Sequence, residues 1–318
     1  MPLPIAHIGR RPKGRKGQHE EARMREPVVI AEVGCNHMGE FETAQRFVEV
    51  AKNFCEIDHV KFQKRDNRTL LPPEQYEAPH PVPANSFGAT YGEHREFLEF
   101  TLEQHAALKQ YCDDRGVVYS CSVWDLPSLE GIASLSPDYI KVPSATNTNL
   151  ELLAEACRIF DGKIHLSLGM TTRAEEERIV SLFRDAGRVQ DLVLYACTSG
   201  YPVRPPDTCL LEIPRLVETY GADVDAIGYS GHHLGISLDV VAYTLGATFI
   251  ERHFTLDRTW KGTDHAASLE PDGMRRVWRD LRHAHQALHV KSEEILDVER
   301  AQRAKLKWSP SAHAASTR

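Results

Sequence analysis

The sequence predicts a (β/α)8 barrel that forms a single catalytic domain, and three observations carry that reading. Short runs rich in β-branched residues alternate eight times with longer amphipathic stretches, over about 260 residues, which is the size and rhythm of such a barrel. Polar and ionisable side chains gather at the C-terminal ends of those runs, where barrels of this kind place their active sites. The competing architecture, a doubly wound open sheet, usually carries a glycine-rich phosphate turn after its first strand. Here Glu32-Val33-Gly34-Cys35-Asn36-His37 occupies that position instead.

Strands are expected at 28–33, 59–63, 117–122, 139–142, 164–168, 192–196, 226–229 and 248–251. Helical patterns fall at 41–53, 102–114, 149–160, 173–186 and 207–220, with a further apolar stretch at 238–245. A final helix runs from 271 to about 289 and opens on Pro271, at the position where helices accept proline. The longest connection, 64–97, is rich in Pro, Asn and Gly, and loops of that length usually act as lids or specificity elements. The barrel is therefore assigned to 27–290, and 291–318 to a C-terminal helix and tail. Residues 1–26 hold seven Lys/Arg against three Asp/Glu, a net of +4, so the remainder carries −11 of the formal −7. Such a leader is expected to be disordered, giving short flexible termini around the barrel.

Composition removes several functions. An acidic body argues against nucleic acid as a partner. The leader lacks a continuous apolar core, so it is not a secretory signal, and no run reaches membrane-spanning length. Seven cysteines occur without a C-x-x-C pair, which fits reduced thiols in a cytoplasmic protein.

The strand ends supply the chemistry. His232 and His253 follow the seventh and eighth strands, and parallel strands joined through a helix deliver both imidazoles to one end of the sheet. Converging neutral imidazoles suit a divalent metal, and Asp264 follows in Lys261-Gly262-Thr263-Asp264-His265. Lys61 and Lys141 interrupt apolar strands, where an unpaired ammonium would cost several kcal/mol. Either a carboxylate such as Glu32 pairs with them inside the barrel, or they receive an anionic ligand. Together with the hydroxyls at the ends of strands three to six, they favour a ligand carrying both phosphate and carboxylate.

Several motifs in one register resemble the catalytic barrel of sialic acid synthases. They are Ile30-Ala31-Glu32-Val33-Gly34-Cys35-Asn36-His37-Met38-Gly39, Val60-Lys61-Phe62-Gln63, Cys197-Thr198-Ser199-Gly200-Tyr201-Pro202, Glu251-Arg252-His253-Phe254-Thr255 and Asp264-His265-Ala266-Ala267-Ser268-Leu269-Glu270-Pro271. The resemblance implies condensation of phosphoenolpyruvate with an N-acyl aldose such as N-acetylmannosamine, giving a nonulosonic 2-keto-3-deoxy acid and phosphate. It implies that His232 and His253 bind a divalent metal, manganese first, with magnesium or cobalt as alternatives. Lys61 would meet the phosphoenolpyruvate carboxylate, and Lys141, Ser122, Ser144, Ser199 and Ser230 would cradle its phosphate. Glu32, Gln63, Tyr201 and Asp264 would face the sugar or the attacking water, with Glu32, Asp264 and Lys141 in catalytic roles. It also implies a homo-oligomer, a dimer.

Three departures from the family pattern stand out. Thr146 occupies a position that is commonly acidic, and Gly231 replaces an aspartate before the strand-seven histidine, with an extra His233 after it. The third is that family members commonly carry a C-terminal antifreeze-like domain, whose arginine reaches the partner's sugar site. Here a separate protein is expected to supply that charge, or Arg65, Arg95 or the leader to replace it, or the acceptor to differ. Two other function classes compete: a metal-dependent aldolase or isomerase acting on a phosphorylated or acidic sugar, and a non-catalytic barrel subunit. The first needs no phosphate cradle, and the second should have lost Lys61 or a metal histidine, yet all are present.

Overall fold

A computed structural model describes residues 25–308. Most of the expected leader and the last residues of the tail lie outside the described residues, so the expectation of flexible termini falls there too. Eight parallel strands close into a barrel: β1 (Val28–Gly34), β2 (His59–Lys64), β3 (Val118–Val123), β4 (Tyr139–Val142), β5 (Lys163–Ser167), β6 (Leu192–Cys197), β7 (Ala226–Gly231) and β8 (Phe249–His253). Each pairs with the next, and β8 returns to β1 in the register Glu32 to His253.

Alternation along the strands divides the core into two compartments. Val29, Ala31 and Val33 of β1, with Val60 and Phe62 of β2, point outward into the layer between barrel and helices. Ile30, Tyr139, Val193, Tyr195 and Ala226 point inward and fill the lower half of the barrel. The outer layer is closed by α1 (Phe41–Asn53), α5 (Leu102–Asp113), α6 (Leu126–Ser134), α7 (Leu150–Ile159), α8 (Arg173–Asp185), α9 (Glu212–Tyr220), α10 (Ser237–Thr244) and α11 (Pro271–Ala287). In α1 the buried positions Ala44, Phe47, Val48 and Ala51 repeat at helical spacing, and Phe47 meets Phe254 edge-on at 5.3 Å.

The structure corrects the expected elements in four places. The helix expected from 207 starts at Glu212, because a short 3-10 turn at Pro205–Asp207 is followed by Cys209 at φ +50°, which no continuous helix passes. Helix α6 was not expected at all. Its Pro127 sits in the first turn, where no backbone donor is required, and the Asp125 carboxylate accepts from the Ser128 N–H at 2.8 Å. The connection 64–97 is not an open loop but holds α2 (Asn67–Leu70), α3 (Pro73–Tyr76) and α4 (Tyr91–Phe97), the last opened by a Thr90–Glu93 capping box. The final strand begins one residue later than expected and runs on to His253. A separate helix, α12 (Asp297–Leu306), lies in the expected C-terminal region.

A bulge bends the end of β1. The register passes from Glu32 opposite Lys61 to Gly34 opposite Phe62, and Gly34 adopts φ +54°. A Cβ at this residue would stand 3.0 Å from Glu32 Oε1, so glycine leaves room for the carboxylate to turn into the barrel.

Helix α10 is tied to β8 by a fully buried ion pair. Arg252 Nη1 donates to Asp239 Oδ2 at 2.5 Å and Nη2 to the His233 carbonyl at 2.6 Å. Burial lifts Asp239 to a pKa of about 6, even with the guanidinium acting to lower it. Arg252→Met should strand that carboxyl and lower unfolding stability by about 3–5 kcal/mol in urea titrations. A loss below about 1 kcal/mol would mean the pair contributes no more than an exposed one.

Candidate active site

Every site residue expected from the sequence lines one cavity of about 380 Å³ at the C-terminal mouth of the barrel. Glu32, Lys61, Gln63, Ser122 and Lys141 form one wall and the depth of it, while Ser144, Ser199, Tyr201, Ser230, His232, His253 and Asp264 complete the rest. Arg65, which the sequence assigned to the lid, lines it as well. Trp124, Ser167, Cys197 and Glu251 are lining residues that the sequence reading did not single out. Glu251 could have been found by parity: it lies two residues before His253 on β8, and so faces the same side.

The deepest layer consists of two ammonium groups and two carboxylates. Lys61 pairs with Glu32 and donates to Ser122 Oγ at 2.6 Å, and its Nζ lies 3.7 Å from Glu251 Oε2. Lys141 pairs with Glu251, whose Oε1 also accepts from Ser230 Oγ at 3.3 Å. Of the two alternatives open on sequence alone, the structure shows the internal ion pairs, and both lysines also line the cavity. Lys141 Nζ also sits 4.4 Å from the centroid of the Tyr195 ring. Burial and ion pairing balance differently in each of these groups. It raises Glu32 to about 7, against the pull of Lys61, whereas Glu251 falls to about 2 because Lys141 and Lys61 together outweigh its desolvation. Burial works to lower both lysines, but Glu251 and Glu32 carry Lys61 above its ordinary value, while Lys141 stays below it.

On the opposite wall, hydroxyls converge around Gly169. A Cβ there would lie 2.3 Å from Ser199 Oγ and 2.6 Å from Ser144 Oγ, so only glycine permits the approach. The Ser199 and Ser167 hydroxyls are buried without a hydrogen-bond partner. Buried polar groups seldom stay unsatisfied, and donors left open on a cavity wall suit an oxyanion.

The two imidazoles stand with ring centroids 5.4 Å apart, inclined at 41°, beside the Tyr201 ring. His232 donates Nδ1–H to the Thr198 carbonyl at 3.0 Å, which leaves Nε2 as a lone-pair donor. Burial lowers His253 to about 4, Asp264 opposing, and its Nδ1 is buried without a partner. Burial acts to lower His232 too, but hydrogen bonding and charge from Cys197 hold it above the ordinary value, so a metal there competes with a proton. Two imidazoles fit a divalent ion of manganese, magnesium or cobalt type only if water or substrate fills the remaining positions. Among the described residues no group of three or more His, Cys, Asp or Glu is placed to hold a metal.

Gly231 and His233 have structural explanations. A Cβ at Gly231 would lie 2.7 Å from the Tyr229 ring and 3.0 Å from Arg252 Cδ, leaving no room for an aspartate. His233 is buried between Tyr229 Oη at 3.0 Å and Arg252 Nη1 at 3.1 Å, and is not a cavity residue. Thr146 keeps a buried hydroxyl without a partner.

Comparison with known proteins agrees with this geometry. The pattern of the NeuB family matches residues 47–293. The chain is 40% identical over 255 residues to the N-acetylneuraminate-9-phosphate synthase of Drosophila melanogaster, covering 78% of this chain and 65% of that one. It is 30% identical over 266 residues to the N,N'-diacetyllegionaminic acid synthase of Campylobacter jejuni, covering 83% of this chain and 78% of that one. Among solved structures, the N-acetylneuraminic acid synthetase of Leptospira borgpetersenii, in complex with citrate, superposes with a TM-score of 0.73 at 25% identity, over 89% of this chain and 93% of that one.

The buried carboxylates make a pH prediction with opposite signs. Glu251, depressed to about 2 from 4.5, adds stability that is present above pH 4.5 and is lost as pH falls toward 2. Glu32, raised from 4.5 to about 7, adds stability below pH 4.5 and loses it as pH climbs to 7. The stability of Glu32→Gln relative to the parent should therefore rise between pH 4.5 and 7, as read from paired urea midpoints. A difference that stays flat across that window would show that Glu32 holds no extra proton in the fold.

Proposed function

The chain belongs to the NeuB family, and on that basis we propose that it joins phosphoenolpyruvate to an aldose, giving a nonulosonic, sialic-acid-like 2-keto-3-deoxy acid and phosphate. An N-acyl aldose such as N-acetylmannosamine is the acceptor class. The observation that carries the reading is the pair of unpartnered hydroxyls on Ser167 and Ser199 facing the same cavity as Lys141.

In this reading Lys61 meets the carboxylate of phosphoenolpyruvate. Lys141, with Ser144, Ser199, Ser122 and Ser230, holds its phosphate. Carbon 3 of the enol attacks the aldehyde carbon, and water adds at carbon 2. The C–O bond to phosphate then breaks, and Lys141 balances the charge that moves onto the leaving group. Glu32, raised toward neutrality by burial, is matched to handling the proton of the attacking water. Asp264 and Gln63 face the acceptor, and Tyr201 closes over the imidazoles. A divalent cation, manganese in the first place, would be held by His232 and His253 and when bound supplies Lewis-acid polarisation of the aldehyde oxygen. Unpaired cysteines suit a reducing cytoplasm. Tyr201 and Met170, 57% and 69% exposed at the mouth, offer a second subunit a place to complete the acceptor end.

Incubation with phosphoenolpyruvate, manganese and a panel of aldoses should release phosphate with at least one N-acyl aldose. His232→Ala and His253→Ala should each lower that turnover by more than the ~10–100-fold that loss of an outer metal partner costs. Retention of full activity in the double variant with chelator present would remove the metal from the reaction. Lys141→Met should raise KM for phosphoenolpyruvate and lower kcat together. Kinetics equal to the parent would leave Lys141 with only its structural bond to Glu251.

A further inference from the structure

A glutamine can turn either end of its amide toward a ligand, and at Gln63 the neighbours make the choice. On one side stands Arg65, whose guanidinium carbon lies 5.7 Å from the ring centroid of Trp124. Glu99 fixes this arginine at two points: Oε1 accepts from Arg65 Nε at 2.5 Å, and Oε2 accepts from the Arg65 backbone N–H at 2.9 Å. The Arg65 and Glu99 side chains are 10% and 6% exposed, so the pair is little screened by water. Cys35 Sγ, on the turn after β1, accepts from Arg65 Nη2 at 3.2 Å.

The amide of Gln63 meets the remaining edge of this fork. Its oxygen accepts from Arg65 Nη1 at 3.1 Å and from Nη2 at 3.2 Å. Nitrogen in that place would reach Cys35 Sγ, but it would also set its hydrogens against those of a guanidinium, which has no acceptor to offer. The amide nitrogen therefore takes the other end, and that end lies toward Glu32. A Cβ at Gly34 would stand 3.0 Å from Glu32 Oε1 and 3.8 Å from this end of the amide. Lys61 pairs with the second oxygen of Glu32, Oε2. Gln63, Glu32 and Arg65 line the cavity, whereas Glu99 stands behind them.

We propose that Arg65 and Glu99 are positioning residues, which lock the Gln63 carboxamide with its nitrogen toward Glu32 and so give the cavity a donor beside a carboxylate. All three guanidinium nitrogens of Arg65 have acceptors within the protein, in Glu99, Gln63 and Cys35. Its contribution is the shape of the fork rather than a charge offered to a ligand. An oxygen that bears a hydrogen, a sugar hydroxyl or a water, accepts from Gln63 and donates to Glu32, and an ether oxygen cannot do both. The part Gln63 plays in turnover rests on the condensation proposed above; the orientation of its amide does not.

A double-mutant cycle reads whether Arg65 acts through Gln63. In phosphate release with phosphoenolpyruvate, manganese and an N-acyl aldose, Arg65→Met and Gln63→Ala should each lower kcat about tenfold, the loss of one hydrogen bond. KM for phosphoenolpyruvate should stay at the parent value. In the Gln63→Ala background Arg65→Met should have no further effect. Arg65→Lys keeps the charge without the fork and should behave as Arg65→Met does. Because Arg65→Met strands a buried carboxylate, Arg65→Met/Glu99→Leu is measured beside it and should give the same kcat. Effects that multiply in the double variant, or full activity in Arg65→Lys, assign Arg65 to direct contact with ligand and overturn the proposal.

The second measurement needs no reaction. In heteronuclear NMR of protein with isotope-labelled glutamine side chains, the Gln63 signal is the one missing from Gln63→Ala. It should lie away from the position of free glutamine in the parent and move toward it in both Arg65→Met and Arg65→Lys. A signal at the free position in the parent, or one that neither variant moves, overturns the locked amide. If the signal behaves as expected while no aldose releases phosphate, the condensation is wrong and the positioning stands. If turnover occurs and the signal is that of free glutamine, the positioning is wrong and the condensation stands.

Discussion

An ammonium group inside a barrel must be answered by a carboxylate within hydrogen-bonding distance, and much of this site follows from that demand. The pairing of β1 with β2 sets Glu32 beside Lys61, and the bulge at Gly34 gives its carboxylate room to turn inward. Glu251 reaches from β8 to Lys141 on β4, so one ion pair joins opposite walls of the barrel. The lysines are thereby kept in place without ligand, while the Ser167 and Ser199 hydroxyls stay unpartnered. Preorganisation of this kind is paid for in buried charge rather than in apolar packing.

Much of this was legible in the chain, for identifiable reasons. Parallel strands alternating with helices produce a strong rhythm, and polar residues ending apolar runs mark one face of a barrel. Side chains whose chemistry shows at a strand end, such as Lys61, Lys141, His232 and His253, were brought together as expected. What escaped were residues whose role depends on a distant partner. Glu251 looked like part of a motif until the barrel set it against Lys141. Trp124 carries no signal of its own in the chain, and only the fold sets Arg65 and Arg95 against its ring. Helix α6 escaped because Pro127 and Gly131 resemble loop punctuation, and only the Asp125 cap shows that Pro127 belongs to a first turn.

Residues within the family motifs also divide between chemistry and support. Asn36 donates to the Phe254 carbonyl at 2.8 Å and to Ser268 Oγ at 3.0 Å, locking the β1 turn to the segment that follows β8. His37 stacks on Phe100 at 4.0 Å, and its pKa is pushed down to about 3 by burial, so it acts as a neutral aromatic wedge. His233 and Arg252 serve α10 in the same supporting way. A motif read as a unit would assign all of them to catalysis, whereas the geometry keeps only those that face the cavity.

The filled lower half of the barrel has a kinetic consequence. Tyr139, Tyr195 and Val193 close the floor, with the His165 ring stacked 4.1 Å from Tyr139 and hydrogen-bonded to the Tyr195 hydroxyl at 2.8 Å. The cavity is therefore a blind well with a single opening. Whatever rests against the lysines has to arrive before the molecule that fills the mouth, and a fragment released at the bottom stays until the mouth has cleared. Ligands in a well of this shape would follow a last-in, first-out order.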